Sequence, residues 1–100
     1  MAKNKKNQKY VVRCDHAGVF YGEIEKIDGN QVVMTNVRKL WYWDGACAVE
    51  QLAMDGVARP GNCKFTVVVP SMIVLDPVQV IPCTDKAAAS IEAVEEWRFA

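Results

Sequence analysis

The sequence predicts a mainly β domain with two short helices: a small antiparallel barrel with one inserted helix and a C-terminal helix. Three observations carry this prediction. Short apolar runs separated by turn residues fill the first forty positions, a helical pattern of apolar residues lies near position 50, and a second one follows position 84. With 100 residues, 51% of them hydrophobic and 24% charged, the chain has the size and composition of one globular domain.

Residues 1–8 are predicted to form a disordered basic leader, and residues 9–100 the single β-barrel-like domain. Positions 1–13 carry five basic side chains and no acidic one, so the rest of the chain is acidic by five charges, with seven basic and twelve acidic residues. A basic leader could contact phosphates. We favour a solvated segment that aids solubility, since charged chain ends without apolar residues usually stay unfolded.

The first three strands are predicted to form an antiparallel meander. Residues 10–14 form a short strand, and residues 19–27 form a second one in which Gly22 indicates a bend or bulge. The tight-turn sequence Asp28-Gly29-Asn30 then leads into a long strand over residues 31–40. A bent middle strand between two such partners is typical of small barrels.

Capping residues place the two helices. The first is predicted to begin near residue 45 with Asp44 as its cap and to end at Gly56. Its apolar stripe consists of Val49, Leu52 and Ala53. The second begins after Thr84 with Asp85 at its positive end. Its apolar face, together with two aromatic anchors of the chain end, consists of Ala87, Ala88, Ile91, Val94, Trp97 and Phe99.

Between the helices the sequence predicts the remaining strands. Residues 64–75 contain two β-rich pieces that Pro70 and Ser71 separate, and residues 78–81 alternate as a final strand. Proline inside an apolar run favours an edge strand, a bulge or a change of strand partner. All three alternatives stay open from the sequence, and the apolar run from Phe65 to Leu75 could pair with the edge strand of a second subunit.

The first half of the chain resembles a known type of barrel. The pattern Gly-x-x-x-Gly-x-Ile-x-x-Ile-Asp-Gly-Asn-x-Val-x-Met-Thr-Asn-Val over residues 18–37 is similar to the first Sm motif. The resemblance implies an SH3/Sm-like barrel. Sm-like barrels pair the edge strands of neighbouring subunits, so it also implies a homo-oligomer.

A second resemblance covers roughly residues 10–97. The elements AGVF at 17–20, LWYWxGA at 40–46, QLAMxGV at 51–57, CKF at 63–65 and IPCT at 81–84 resemble a family of small phage and prophage proteins without an established activity. The chain departs from that pattern at Cys14-Asp15-His16 and at residues 47–50. The resemblance implies a phage accessory protein in the cytoplasm of an infected bacterium, and it carries no catalytic residues.

No enzyme or cofactor is predicted, and no metal site. The cysteines stand apart without a CxxC pair and the chain has one histidine, so we expect buried free thiols at Cys14, Cys47, Cys63 and Cys83. Cys14 and His16 could share one strand face as a nucleophile and its base, but a core cysteine beside a turn histidine is the interpretation that we favour.

We expect a cytoplasmic protein that does not contact the membrane. The longest apolar runs are far too short to cross a bilayer. The N-terminal lysines are not followed by the apolar segment of a signal peptide.

Three adjacent aromatic residues give the sharpest functional signal. Trp41 and Trp43 should lie on one strand face and Tyr42 on the other, so at least one ring should be poorly covered in a domain of this size. With Arg38 and Lys39 just upstream, these five residues are the predicted ligand-binding site, in which rings stack on a base and cations meet phosphate. The alternative is that the rings belong to the core or to a subunit interface.

Three functional hypotheses remain open. The first is a non-enzymatic anti-defence protein that binds and sequesters a small anionic nucleotide signal, such as a cyclic nucleotide, as a homo-oligomer. The second is an Sm-like protein that binds single-stranded RNA or DNA. The third is an inhibitor of a host defence enzyme, acting through acidic residues that include Glu23, Glu25, Asp28, Glu92, Glu95 and Glu96.

Overall fold

The computed structural model describes residues 8–99 and confirms the predicted fold class, an antiparallel β domain with two short helices. In chain order the elements are β1 (Tyr10–Cys14), β2 (Gly18–Asp28), β3 (Gln31–Tyr42), α1 (Val49–Asp55), a 3₁₀ turn (Pro60–Asn62), β4 (Lys64–Phe65), β5 (Val69–Leu75), β6 (Pro77–Pro82) and α2 (Asp85–Glu92). No helix in this part of the chain is both long enough and apolar enough to cross a bilayer.

Most of the predicted basic leader, residues 1–7, lies outside the described residues. Its last residue, Gln8, lies against the domain. The side-chain amide of Gln8 donates to the carbonyl of Cys83 over 3.0 Å. Gln8 is thus held next to β6 and the start of α2 by this contact.

The strands form one curled sheet in the order β4–β3–β2–β1–β6, and β5 pairs with the first half of β3. Only Asp76 separates β5 from β6, although these strands lie at opposite ends of the sheet. The Asp76 amide donates to the carbonyl of Asn30 over 2.8 Å, and its carbonyl accepts from the amide of Asp15 over 3.0 Å. The sheet is thus barrel-like but not closed, because β5 and β6, both fully described, do not pair with each other.

Two apolar cores lie on opposite faces of this sheet. Successive residues of a strand point to opposite faces, and in β1 Val11 enters one core while Val12 enters the other. The larger core packs the sheet against α1 and α2, with Leu52 and Ile91 fully buried. The smaller one fills the inside of the curl, where Met34 is fully buried. Both faces of the central strands are therefore covered.

The predicted bend at Gly22 is confirmed. The pairing of β2 with β3 shifts register between Tyr21 and Glu23, which places a bulge at this glycine. A Cβ at position 22 would lie 2.9 Å from both the carbonyl oxygen of Thr35 and the Cα of Val37. Glycine is required here because two backbones approach closely.

The predicted start of α1 is wrong. The helix begins at Val49 after Ala48, which makes no side-chain cap. Asp44 does not cap it because its carboxylate is occupied by Arg59 and Asn62. The predicted end at Gly56 is confirmed, with φ at 77°.

The predicted cap of α2 is confirmed. The hydroxyl oxygen of Thr84 accepts from the amide of Ala87 over 3.0 Å. Asp85 stands in the first turn, where its charge favours the helix dipole. Of the predicted aromatic anchors, Trp97 packs on Trp41, but Phe99 is fully exposed.

The strands between the helices divide at a different place from the predicted one. The break falls at residues 66–68, and Pro70 and Ser71 lie inside β5. Proline is tolerated there because β5 pairs with β3 on one side only. On the opposite side β5 has no partner strand, so no hydrogen bond is lost there through the missing N–H of proline. Of the three alternatives that the proline left open, the structure shows an edge strand.

We predict that Gly22→Ala destabilises the fold. The added methyl group would press on backbone atoms of β3 that cannot rotate away, which should lower the free energy of unfolding by about 1–3 kcal/mol. Urea denaturation measures this loss. Gly61→Ala is the matched control, because a Cβ at position 61 would meet nothing within 4 Å. Equal stability of the two variants would contradict the packing at the bulge.

Candidate functional site

Arg38, predicted to meet a phosphate, is instead a structural residue. Only 2% of it is exposed. Its guanidinium donates to four backbone carbonyls: Phe65 at 3.3 Å, Thr66 at 3.0 Å, Ile91 at 3.1 Å and Val94 at 3.0 Å. The Nε and both terminal nitrogens of the guanidinium therefore all donate to carbonyls within the domain. The structure thus places Arg38 inside the domain, apart from the exposed rings with which it was predicted to form a site.

The bonds of Arg38 hold the end of α2 against β4. Beyond them the chain end follows β4 itself: the amide of Trp97 donates to the carbonyl of Phe65 over 2.8 Å, and Glu96 pairs with Phe65 in a parallel bridge. The carboxylate of Glu96 accepts from the amide of Val68 over 3.1 Å. The position of Trp97 is therefore set by its own amide and by the contacts of Glu96 just before it.

An exposed pair of indole rings forms the centre of the candidate site. Trp41 on β3 is 54% exposed and Trp97 on the chain end is 46% exposed. Their ring centroids lie 4.9 Å apart at an interplanar angle of 29°. The ammonium of Lys64 lies 5.6 Å from the Trp41 ring centre and 5.5 Å from that of Trp97, within the range of cation–π attraction.

Tyr42 lies next to Trp41 at an irregular point of β3. The pairing of β3 with β4 shifts register between Leu40 and Tyr42, so the regular alternation of strand faces predicted for Trp41 and Tyr42 is interrupted there. The ring of Tyr42 is 50% exposed, and Tyr42 pairs with Lys64 between β3 and β4. Tyr42 and Lys64 line a hollow of about 370 Å³. We call the set Trp41, Tyr42, Lys64 and Trp97 the aromatic–lysine surface.

The Asp44 carboxylate braces the turn beside this surface. It accepts from Arg59 at 3.1 Å and from the side-chain amide of Asn62 at 3.0 Å. The hydrogen bond from Asn62 and then that from Arg59 lower the pKa of Asp44. The amide of Asp44 also donates to the sulfur of Cys63 over 3.4 Å. These contacts fix the position of the 3₁₀ turn.

Two further predicted site residues lie apart from the aromatic–lysine surface. Trp43 is half-buried against the larger core, donates its indole N–H to the carbonyl of Ala46 over 3.2 Å, and lines a different hollow with Arg13 and Glu50. Trp43 therefore lies at a different hollow from Tyr42. Lys39 pairs with Phe20 in the sheet, and its side chain runs beside Gly18.

Sequence reasoning missed Lys64 and Trp97. Lys64 is brought to Tyr42 by strand pairing across more than twenty residues, and Trp97 reaches Trp41 through the path of the chain end. The CKF element contained Lys64, but nothing local to it indicated a partner. Trp41 and Tyr42 are the predicted residues that the structure brings together, and the expectation of a poorly covered ring is confirmed.

The thiols differ in their surroundings. Cys14 and Cys83 are buried as predicted, whereas the prediction of a buried thiol is wrong for Cys47, which is exposed. Burial raises the pKa of Cys14, and it raises that of Cys83 to about 12. The side chain of His16 is 80% exposed beside Asp15, while Cys14 points into the inner core. The interpretation as a core cysteine and a turn histidine is confirmed.

No group of three or more His, Cys, Asp or Glu residues among those described is placed to hold a metal ion.

A cluster of charged side chains lies near Arg38, where Lys9 pairs with Glu23 at 3.7 Å and with Glu92 at 3.2 Å. Tyr21 donates to Glu92 as well, and burial together with this bond raises the pKa of Tyr21. These groups satisfy one another and stabilise the contact of α2 with the sheet.

Comparison with known proteins gives one match. A family model described as "Domain of unknown function (DUF6948)" matches residues 7–91. No curated protein and no solved structure matches the chain. The matched residues include the sheet, α1 and most of α2, and they end before Trp97.

We predict that Arg38→Lys strongly destabilises the domain. A single ammonium cannot reach four carbonyls that a guanidinium serves, so buried acceptors would stay unpaired and the free energy of unfolding should fall by about 2–5 kcal/mol. Arg59→Lys is the control, because Arg59 makes an exposed ion pair and its exchange should cost less than about 1 kcal/mol. Similar losses from both variants in urea denaturation would contradict the role of Arg38.

Proposed function

Because the chain belongs to the DUF6948 family, a family of unknown function, we propose its role from its geometry: a non-enzymatic protein that binds an anionic nucleotide ligand. The observation that carries this proposal is the stacked pair of Trp41 and Trp97, each about half exposed, with the ammonium of Lys64 within 5.6 Å of both ring centres. The bound nucleotide is a small signal molecule that the protein sequesters.

The chemistry of the surface matches a nucleotide. A base offers a flat face that stacks on indole or phenol rings, and each such contact contributes about 1–3 kcal/mol. Phosphate requires a cation, and Lys64 supplies one beside three rings. Asp44, which lines the same hollow as Lys64, already accepts two hydrogen bonds. These groups are suited to holding a ligand rather than to transferring protons.

The proposed protein works as a homo-oligomer. In β5 the buried Val74 alternates with Ile73, 58% exposed, and Leu75, 50% exposed, on the outer face of an edge strand. An unpaired strand edge with apolar side chains favours pairing with another copy. A second subunit would also cover part of the aromatic–lysine surface, whose rings are about half exposed in the single chain.

The resemblance to small phage proteins extends the proposal to a biological setting. There the protein is a phage accessory protein in the cytoplasm of an infected bacterium, and the sequestered nucleotide is a signal of host defence. Its role would be to lower the free concentration of that signal by binding.

A second candidate function is the binding of single-stranded RNA or DNA. Openness of the aromatic–lysine surface favours it, since rings spread along an exposed surface bind successive bases of a strand with little sequence preference. A steep dependence of affinity on salt concentration would distinguish nucleic acid from a small ligand.

We predict that Trp41→Ala weakens nucleotide binding. Loss of one stacking contact of about 1–3 kcal/mol corresponds to a dissociation constant raised by about 5-fold to 150-fold. Calorimetric titration with a panel of linear and cyclic nucleotides measures it. Phe99→Ala is the control, since it removes a fully exposed ring outside the surface. Equal affinity of the Trp41→Ala variant and the unaltered protein, or no binding at all, would contradict the proposal.

We predict that the unaltered protein is a homo-oligomer in native mass spectrometry and that the double variant Ile73→Glu, Leu75→Glu is a monomer. Charges on the outer face of β5 should oppose pairing of edges without disturbing the core, because both side chains are exposed in the single chain. Met54→Glu, an exposed apolar residue of α1, should leave the assembly intact. A monomeric unaltered protein would rule out the oligomer.

A further inference from the structure

We propose that the aromatic–lysine surface is a two-base groove, which binds two nucleosides joined by one phosphodiester. One base stacks at the indole pair, the other at Tyr42, and the phosphate lies at Lys64. This inference rests on the proposed function and adds to it the number of bases and the chemistry of the link between them.

Two hollows meet to form the groove. The hollow of about 370 Å³ beside Tyr42 and the hollow of about 280 Å³ beside Trp97 share Gly61 and Cys63 in their linings. They are therefore neighbours across one turn of chain. Each hollow is large enough for one base, and each has an aromatic ring in its lining, Tyr42 in the first and Trp97 in the second. A ligand that fills both hollows and stacks in each must therefore carry two flat groups.

The 3₁₀ turn between the two hollows is held by backbone hydrogen bonds and has a glycine at its centre. The 3₁₀ turn is closed by hydrogen bonds from the amide of Asn62 to the carbonyl of Arg59 at 3.0 Å and from the amide of Cys63 to the carbonyl of Pro60 at 3.2 Å. Gly61, at its centre, has open space where a Cβ would stand. A sugar–phosphate link therefore has room to cross the turn at Gly61.

The charges fit a phosphodiester better than a terminal phosphate. Arg59 is paired with Asp44 and Arg98 with Glu96, whereas Lys64 takes part in none of the ion pairs between residues 8 and 99. One cation at the groove matches the single negative charge of an internal phosphodiester. A terminal phosphate at the Trp97 end, with a charge near −2, would meet the carboxylate of Glu95, which lines that hollow.

Two sources contain this unit: a cyclic dinucleotide, in which a second phosphodiester closes the ring, and a single strand of nucleic acid. Their shared chemistry, two bases across one phosphodiester, is what the groove recognises. The test therefore compares adenylyl-adenosine with AMP for the number of bases, and it includes cyclic di-AMP and a 12-nucleotide oligoadenylate to identify the source.

Calorimetric titration of the full chain should give an affinity for adenylyl-adenosine about 5-fold to 150-fold higher than that for AMP, the range expected from one additional stacked base. Tyr42→Ala and Trp97→Ala should each remove this advantage, while AMP should lose affinity in only one of the two variants. Tyr42→Leu, which keeps an apolar side chain on the strand, repeats the test if the alanine variant is unstable. Phe99→Ala should change nothing.

Each outcome has a defined meaning. Equal affinity for adenylyl-adenosine and AMP, with both bound, would overturn the two-base groove but leave the proposed function standing. Failure of all four probes to bind would overturn the proposed function itself. Tightest binding of cyclic di-AMP, or of the oligonucleotide with a steep salt dependence, would support the groove and identify its source.

Discussion

Four hydrogen bonds from the buried Arg38 guanidinium are the constraint on which the rest of the structure depends. They join the middle of β3 to β4 and to the last turn of α2, which are remote from one another in sequence. Once α2 is fixed there, the chain end must run along β4, and Trp97 arrives on Trp41. The buried Arg38 thus positions the exposed, stacked rings of Trp41 and Trp97 on the surface of the domain.

This use of Arg38 also decides the charge of the surface. The sequence places two cations immediately before the aromatic residues, which makes them look like phosphate ligands. The sheet directs Arg38 inward and leaves Lys39 beside Gly18, so the charge comes from Lys64 on the neighbouring strand. A modest single charge next to several rings favours stacking as the main source of affinity, with the phosphate contact orienting the ligand.

Local signals predicted the fold well, because strands, caps and turns depend on residues close together in the chain. The bounds of β1, the bulge at Gly22, the end of α1 at Gly56 and the Thr84 cap follow from such signals. The predicted helix cap at Asp44 was wrong because its carboxylate can either cap a helix or bind the turn at residues 59–62, and in the structure it binds the turn. Lys64 and Trp97 could not be predicted, since only the pairing of β3 with β4 and the docking of the chain end bring them to Trp41.

The three tryptophans allow the most direct test of the central claim, that Trp41 and Trp97 form the binding surface while Trp43 does not. Each indole N–H gives its own signal in a ¹⁵N-resolved NMR spectrum, and that of Trp43 is fixed by its bond to Ala46. On titration with adenylyl-adenosine, the signals of Trp41 and Trp97 should shift together while that of Trp43 stays in place. A shift confined to Trp43, or saturation without change at Trp41 and Trp97, would contradict it.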